Sequence, residues 1–150
     1  MKIALFEPDI AQNTGTLVRT AACLGVGLEI IEPCGFVFSD KHLKRAGMDY
    51  LDMVAVLRHA DWAAFEALRR TPQGRRVVLL TTKAATPYTD FAFHPDDVLL
   101  LGSESRGVPE SVHDSADARV TIPMAPGARS LNVAIAGAMV LGEALRQTRS

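Results

Sequence analysis

The chain has little cysteine, almost no net charge and no long hydrophobic run. Its 150 residues include two cysteines, Cys23 and Cys34, without the spacing of a metal site or a disulfide scaffold. A net charge of −1 excludes a protein that coats nucleic acid with its whole surface. No stretch is long and apolar enough to span a membrane, and the N-terminus turns acidic too early for a signal peptide. We therefore expect a cytoplasmic protein with no metal ion and no membrane partner.

Common nucleotide-binding and hydrolytic motifs are also missing. No G-x-G-x-x-G follows the first predicted strand and no G-x-x-x-x-G-K-[ST] occurs, which disfavours an ordinary dinucleotide site and excludes a P-loop. The histidines lack a serine, cysteine or metal-ligand partner at a telling spacing, so we expect neither a hydrolase triad nor a zinc site. These are His42, His59, His94 and His113.

What is present is a regular alternation of strand-like and helix-like segments. It predicts an α/β fold, a mainly parallel sheet with helices on both faces, in one domain covering residues 1–150. The predicted strands are 2–7, 28–32, 53–57, 76–82, 98–101 and 119–122. The predicted helices run from 13 or 14 to 24, 40–46, 61–70, 109–115 and 130–146, the last capped by Ser130.

The most informative stretch is 98–109, where a buried strand stops at a turn that contains Gly102, Glu104 and Gly107. Glycine lets the backbone turn sharply and approach a ligand closely. Ligands of open α/β sheets bind at the carboxyl ends of strands, so this turn is a candidate binding site. An ordinary strand-to-helix loop, with Glu104 as a helix cap, is the alternative.

Two further segments carry candidate chemistry. Asn13 and Arg19 lie where the first helix begins, and the arginine is either aimed at a phosphate or ribose or simply solvated. A stiff loop at 122–132 contains two prolines and a glycine, and its backbone could grip an adenine edge. Asn132 in that loop is either functional or a buried structural bridge.

The last predicted helix is apolar on nearly every side. A helix of this kind must be buried on more than one face, and one sheet face of a small domain does not cover it. A second copy of the chain is the simplest cover, so we expect a homodimer.

In this order, the N-x-G-x-x-x-R helix start, the L-L-G-x-E-x-x-G-x-P turn and the I-P-M…R-S-L-N segment resemble the SPOUT superfamily of RNA methyltransferases. The resemblance covers essentially the whole chain. It is closest to the branch of tRNA (cytidine/uridine-2'-O-)-methyltransferases that modify the wobble nucleotide. One departure is 133–135, which reads Val-Ala-Ile where close relatives usually read Leu-Ser-Asn.

The resemblance implies a C-terminal trefoil knot, a homodimer, and methylation of the ribose 2'-OH at position 34 of tRNA, with leucine isoacceptors as expected substrates. The implied cofactor is S-adenosyl-L-methionine, contacted by Leu80, Gly102, Ile122, Met124, Ser130 and Leu131. The implied catalytic residues are Asn13, Arg19, Glu104 and Asn132. The expected contacts to the tRNA anticodon stem-loop are Lys41, Lys44, Arg45, Arg106 and Arg129. Another tRNA or rRNA nucleotide, or a non-catalytic RNA-binding module on the same fold, remains the alternative.

Overall fold

A six-stranded parallel sheet forms the centre of the molecule. The computed structural model describes residues 1–39, 41 and 49–149. The strands are β1 (Lys2–Phe6), β2 (Gly27–Ile31), β3 (Val56–His59), β4 (Val77–Leu80), β5 (Val98–Leu101) and β6 (Ala118–Val120), in the order β3-β2-β1-β5-β4-β6. The helices in the described residues are α1 (Ala11–Leu24), α2 (Trp62–Arg69), α3 (Glu110–Ser115) and α4 (Val133–Thr148). The predicted α/β fold with a parallel sheet is confirmed.

Helices cover both faces of the sheet, as predicted. Alternate residues of β1 point to opposite sides, because side chains of a strand alternate in direction. Ile3 and Leu5 lie in the core shared with α1 and α4. Ala4 and Phe6 lie in the core shared with α2 and α3. All residues of β5 are buried, as expected of an apolar strand that is covered on both sides.

The strand order brings distant loops to one edge of the sheet. β1 pairs in parallel with both β2 and β5. The strands β2 and β3 therefore lie on one side of β1 and the later strands on the other, so the strand order reverses at β1. Open α/β sheets place their ligand crevice at the carboxyl ends of the strands near such a reversal. The segments that follow β1, β4, β5 and β6 all leave from this edge.

Several predicted boundaries are wrong. The cap of α4 is Asn132 rather than Ser130, because the Asn132 side chain accepts hydrogen bonds from the first backbone amides of the helix. Helix α1 begins at Ala11, before the predicted caps at 13 or 14. The third strand is Val56–His59 rather than 53–57, and Met53 ends a 3-10 turn (Leu51–Met53). The predicted helix at 40–46 falls almost wholly outside the described residues.

The exposed side of α4 is apolar near its start but polar near its end, where Arg146 and Gln147 are exposed, so the helix is not apolar all round. Ile135 is 57% exposed and Met139 is 39% exposed, so apolar side chains reach the surface of the chain. Within the described residues, no helix has the length and apolarity needed to cross a membrane. The trefoil knot stays a prediction.

A buried carboxylate in the middle of β2 is held by three basic side chains from other segments of the chain. Glu29 of β2 is 1% exposed. Its carboxylate accepts hydrogen bonds from Lys2 Nζ and an Arg75 guanidinium nitrogen, each at 2.8 Å, and lies 2.8 Å from His59 Nε2. Burial alone would raise the pKa of Glu29, but these hydrogen bonds outweigh burial and lower it.

Candidate active site

A cavity of about 570 Å³ opens at the carboxyl ends of the strands. Its wall is made by four chain segments, 79–83, 101–108 without Ser105, 121–124 without Pro123, and 130–133, together with Ile10, Asn13, His113 and Ala136. These segments follow β4, β5 and β6 and precede α4, so elements far apart in the sequence meet here. The volume is within the range of small-molecule and cofactor sites.

The turn after β5 is shaped by glycine. A side chain at Gly102 would lie 2.8 Å from the backbone carbon of Gly107, a distance that backbone atoms do not tolerate. Gly107 has a φ of 65°, which favours glycine. Paired backbone hydrogen bonds between Ser103 and Gly107, at 3.0 and 2.8 Å, close the turn. Both glycines are therefore required by the shape of the cavity wall.

A network of polar side chains joins three of the loops. Glu104 accepts a hydrogen bond from the Asp9 backbone amide at 2.9 Å and a longer one from Asn13 Nδ2 at 3.4 Å. Asn132 Nδ2 donates to Asn13 Oδ1 at 2.9 Å. The chain of contacts runs from the segment after β1, through the turn after β5, to the start of α4. Glu104 thus acts as a link between loops, and not as the helix cap that was its alternative role.

Asp9 and Glu104 form a coupled pair of carboxyl groups. Hydrogen bonds from Glu104 and Ser105 lower the pKa of Asp9. Burial, together with the hydrogen bond to Asp9, raises the pKa of Glu104. When two carboxyl groups share a site, one holds the proton more tightly. As the pH falls, Glu104, which lines the cavity, therefore takes up a proton before Asp9 does.

Two polar atoms near the cavity lack an internal partner. In the described part of the chain, Ser103 Oγ and His113 Nε2 are buried and make no hydrogen bond. Both residues belong to the wall of the cavity. A buried polar atom without a partner is costly, so these atoms are suited to a ligand with hydroxyl, amine or carboxylate groups.

All residues expected at the cofactor line this one cavity. They are Leu80, Gly102, Ile122, Met124, Ser130 and Leu131. Three of the four expected catalytic residues, Asn13, Glu104 and Asn132, line it as well. Asn132 is exposed rather than a buried bridge, although it does bridge to Asn13. The structure brings these residues together, and their roles remain predictions.

Arg19 is the exception among the expected catalytic residues. It lies six positions after Asn13 on α1, which corresponds to about 9 Å along the helix axis. Its side chain is exposed and does not line the cavity. The guanidinium instead stacks on the ring of Tyr50, with its central carbon 5.0 Å from the ring centroid.

The residues expected to contact RNA do not gather in one place as the expected cofactor residues do. Arg106 lines the cavity and forms an ion pair with Glu7 at 3.2 Å. Arg129 is exposed on the loop before α4, and Lys41 is exposed. Lys44 and Arg45 lie outside the described residues.

Sequence reasoning missed Asp9, Ser103 and Tyr50. Ser103 lies between Gly102 and Glu104, which were singled out, whereas the contacts of Asp9 with Glu104 depend on the adjacency of β1 and β5. No local pattern indicates that adjacency. Only the packing of the chain reveals the contact of Tyr50 with Arg19. Among the described residues, no group of acidic, histidine or cysteine side chains could hold a metal ion.

Comparison with known proteins decides the family. The model of the SpoU rRNA methylase family matches residues 1–142. The chain belongs to the SpoU methylase family. The chain is 65% identical over 145 residues to a tRNA (cytidine(34)-2'-O)-methyltransferase of Beijerinckia indica subsp. indica, which covers 97% of the chain and 90% of that protein. An Escherichia coli K12 protein of the same name is 43% identical over 150 residues, covering 98% and 93%.

Solved structures of SpoU methylase relatives have the same fold. One, described as giving structural insight into the 2-OH methylation of C/U34 on tRNA, is 40% identical, with a TM-score of 0.90, and covers 97% of this chain and 94% of that one. The SpoU methyltransferase AviRb from Streptomyces viridochromogenes, in complex with the cofactor AdoMet, is 28% identical with a TM-score of 0.84. That match covers 98% of this chain and 60% of the other.

Proposed function

We propose that this SpoU methylase transfers a methyl group from S-adenosyl-L-methionine to the ribose 2'-oxygen of nucleotide 34 in tRNA. The observation that carries the proposal is the convergence of Asn13, Glu104 and Asn132 on the wall of one cavity. The close relatives named tRNA (cytidine(34)-2'-O)-methyltransferase support the choice of nucleotide. The chain acts as one methyltransferase domain over residues 1–150. A cytoplasmic location and a preference for leucine isoacceptors belong to the same proposal.

The cavity suits the cofactor chemically. Leu79, Leu80 and Ile122 offer apolar surface for the adenine, and the unpartnered Ser103 Oγ offers a hydrogen bond to a polar group. When bound, S-adenosyl-L-methionine supplies a methyl group on a positively charged sulfur, which is already an activated leaving group.

The chain itself must orient the ribose and assist the loss of one proton. A ribose hydroxyl is a weak acid, so negative charge develops on its oxygen as its proton is released to solvent water, and the new bond to carbon then removes that charge. Arg19 stabilises that charge and holds the neighbouring phosphate, because a guanidinium keeps its proton throughout the physiological range. Asn13, Glu104 and Asn132 fix the shape of the cavity mouth through their hydrogen bonds.

Arg19 serves the cavity of a second copy of the chain. Helices α1 and α4 pack side by side on one face of the sheet, and their exposed residues form one surface, here called the α1/α4 surface. It comprises Gln12, Thr16, Arg19 and Cys23 of α1 with Ile135, Met139, Gly142 and Arg146 of α4. Exposed apolar side chains beside a cavity are typical of an interface. A homodimer formed here brings Arg19 of one protomer towards its partner.

Methylation of tRNA tests the reaction. We expect purified protein, incubated with total tRNA and labelled methyl donor, to label the ribose of nucleotide 34. Isothermal calorimetry should show binding of S-adenosylhomocysteine. Label on another tRNA or rRNA nucleotide would contradict the proposed substrate. Absence of both heat and methylation would contradict the enzymatic function itself.

Mixed dimers test the origin of Arg19. We expect Arg19→Ala and Glu104→Ala proteins to be nearly inactive alone but to recover activity when refolded or co-expressed together. The mixed dimer then has one complete site, with Arg19 from one protomer and Glu104 from the other. No recovery would indicate that Arg19 acts in its own protomer.

Ile135→Glu, which places a charge on the α1/α4 surface, should yield monomers in light-scattering measurements.

The basic side chains are proposed to hold the phosphates of the anticodon stem-loop. Lys41, Lys44, Arg45, Arg106 and Arg129 are the candidates, and phosphate contacts make binding depend on salt. Arg129→Ala should weaken tRNA binding and reduce the slope of log affinity against log salt concentration by about 1. An unchanged slope would remove Arg129 from the RNA-binding surface.

A further inference from the structure

Arg19 is held differently from most arginines of the chain. In the described residues, the arginines that form ion pairs with a carboxylate are Arg58, Arg69, Arg70, Arg75, Arg76, Arg106 and Arg146. Arg19 has no carboxylate partner there, and its guanidinium lies over the ring of Tyr50 at 5.0 Å. Among the described residues, Arg19 makes no ion pair and no side-chain hydrogen bond, and the aromatic ring is its partner.

Two other arginines stack on aromatic rings and make a useful comparison. Arg58 lies 4.5 Å from the ring centroid of Phe38, and Arg76 lies 4.9 Å from that of Phe91. Each of them also pairs with a carboxylate, Glu32 or Asp97 respectively. Only Arg19, of these stacked arginines in the described residues, relies on the ring alone.

This difference matters for an arginine that must meet an anion. A carboxylate partner would compete with the RNA phosphate and with the developing oxyanion for the same donors. A ring attracts the guanidinium through its negative face and leaves the N–H donors at the guanidinium edge available. An exposed arginine otherwise samples many rotamers, so the stack also reduces the entropy lost when the anion binds.

The position of Tyr50 is coupled to α1. Tyr50 immediately precedes the 3-10 turn Leu51–Met53, and its carbonyl accepts a hydrogen bond from the Met53 amide at 2.9 Å. That turn packs against α1, the helix that carries Arg19. The backbone that carries the ring is thus placed against α1 by local structure.

We propose that Tyr50 is a positioning residue. Its ring holds the Arg19 guanidinium in an orientation towards the RNA without neutralising its positive charge. This inference rests on the proposed role of Arg19 in 2'-O-methylation. It predicts that the face of the ring is required and the phenolic hydroxyl is not.

Kinetics of tRNA methylation test the role with matched variants. Tyr50→Leu should lower kcat about 10-fold and leave the KM for S-adenosylmethionine unchanged, whereas Tyr50→Phe should stay within about 2-fold of the wild type. Phe91→Leu removes a ring from a stacked arginine outside the site and should leave kcat within about 2-fold. In an Arg19→Ala background, Tyr50→Leu should have no further effect, since the guanidinium it positions is gone. A full additional loss in that background would overturn the proposal.

A spectroscopic measurement tests the stack without RNA or cofactor. In NMR spectra, the Arg19 Nε–Hε signal, assigned with Arg19→Lys, should show a ring-current shift in the wild type and in Tyr50→Phe. The shift should vanish in Tyr50→Leu while the backbone amide spectrum is retained. An Arg19 signal that is the same in all three proteins would overturn the positioning role, whatever the substrate proves to be. A wild type that shows the shift but methylates no tRNA would instead contradict the proposed function.

Discussion

Asn132 combines a helix cap and a link between loops, and its two roles can be separated by substitution. Its side-chain oxygen accepts hydrogen bonds from the amides of Ala134 at 2.9 Å and Ile135 at 3.3 Å. Its side-chain nitrogen donates to Asn13 at 2.9 Å. Loss of an N-cap costs about 1 kcal/mol, and loss of one further exposed hydrogen bond adds about 0.5 kcal/mol. Asn132→Ala should therefore lower the free energy of unfolding by about 1.5 kcal/mol.

Asn132→Asp isolates the link. The carboxylate still caps α4 and interacts favourably with the amino-terminal end of the helix dipole, but it cannot donate to Asn13. We expect its unfolding free energy to stay within about 0.5 kcal/mol of the wild type. Its affinity for S-adenosylhomocysteine should nevertheless fall, because the hydrogen bond that joins the start of α4 to Asn13 at the cavity mouth is lost.

Urea unfolding at fixed protomer concentration and calorimetric titration provide the two measurements. For a chain of this length, 1.5 kcal/mol corresponds to a shift in Tm of about 3–6 °C. If Asn132→Ala unfolds at the wild-type urea concentration, the cap contributes nothing. If Asn132→Asp binds the cofactor product as the wild type does, the contact with Asn13 has no part in the site.

Other predictions concern burial, backbone space and acid sensitivity. Glu29 has a lowered pKa when folded, so its stabilisation is complete above its ordinary pKa of 4.5 and is lost as the pH falls through the folded value. Glu29→Gln should flatten the acid-side fall of the unfolding free energy, and an unchanged pH slope would contradict this. Burial, reinforced by nearby carboxylates, raises the pKa of Cys34 from 9.0 to about 11, so its thiolate fraction at pH 8 is about 100-fold smaller. Alkylation followed by mass spectrometry should modify Cys34 far more slowly in the folded than in the unfolded protein, and equal rates would refute the assignment. Gly102→Ala should lower Tm more than Gly137→Ala, because the new methyl group meets backbone in the first case and flexible leucine ends in the second. Equal Tm values would contradict the crowding at Gly102.

Much of the fold follows from local pattern. The apolar run 98–101 became β5, buried on both faces, and the glycine-rich turn after it became a wall of the cavity. Parallel strands bring their carboxyl ends to one edge, so the convergence of the expected cofactor residues could be anticipated.

Contacts between loops that are distant in the sequence could not be predicted from local sequence patterns. Asp9 and Glu104 are hydrogen-bonded because β5 pairs with β1, and no local pattern in either segment predicts that pairing. Ser130 and Asn132 are both good capping residues, and only the backbone geometry selects the second. Arg19 follows Asn13 closely in sequence, but the pitch of α1 carries it away from the cavity.

The place of β1 in the sheet has a consequence for biosynthesis. Lys2 pairs with Val98, so one side of β1 has no neighbour until most of the chain has left the ribosome. An unpaired edge of an apolar strand invites association with other nascent chains. A product that terminates before residue 98 therefore exposes the middle of the sheet rather than its margin, and we expect such fragments to aggregate or be degraded.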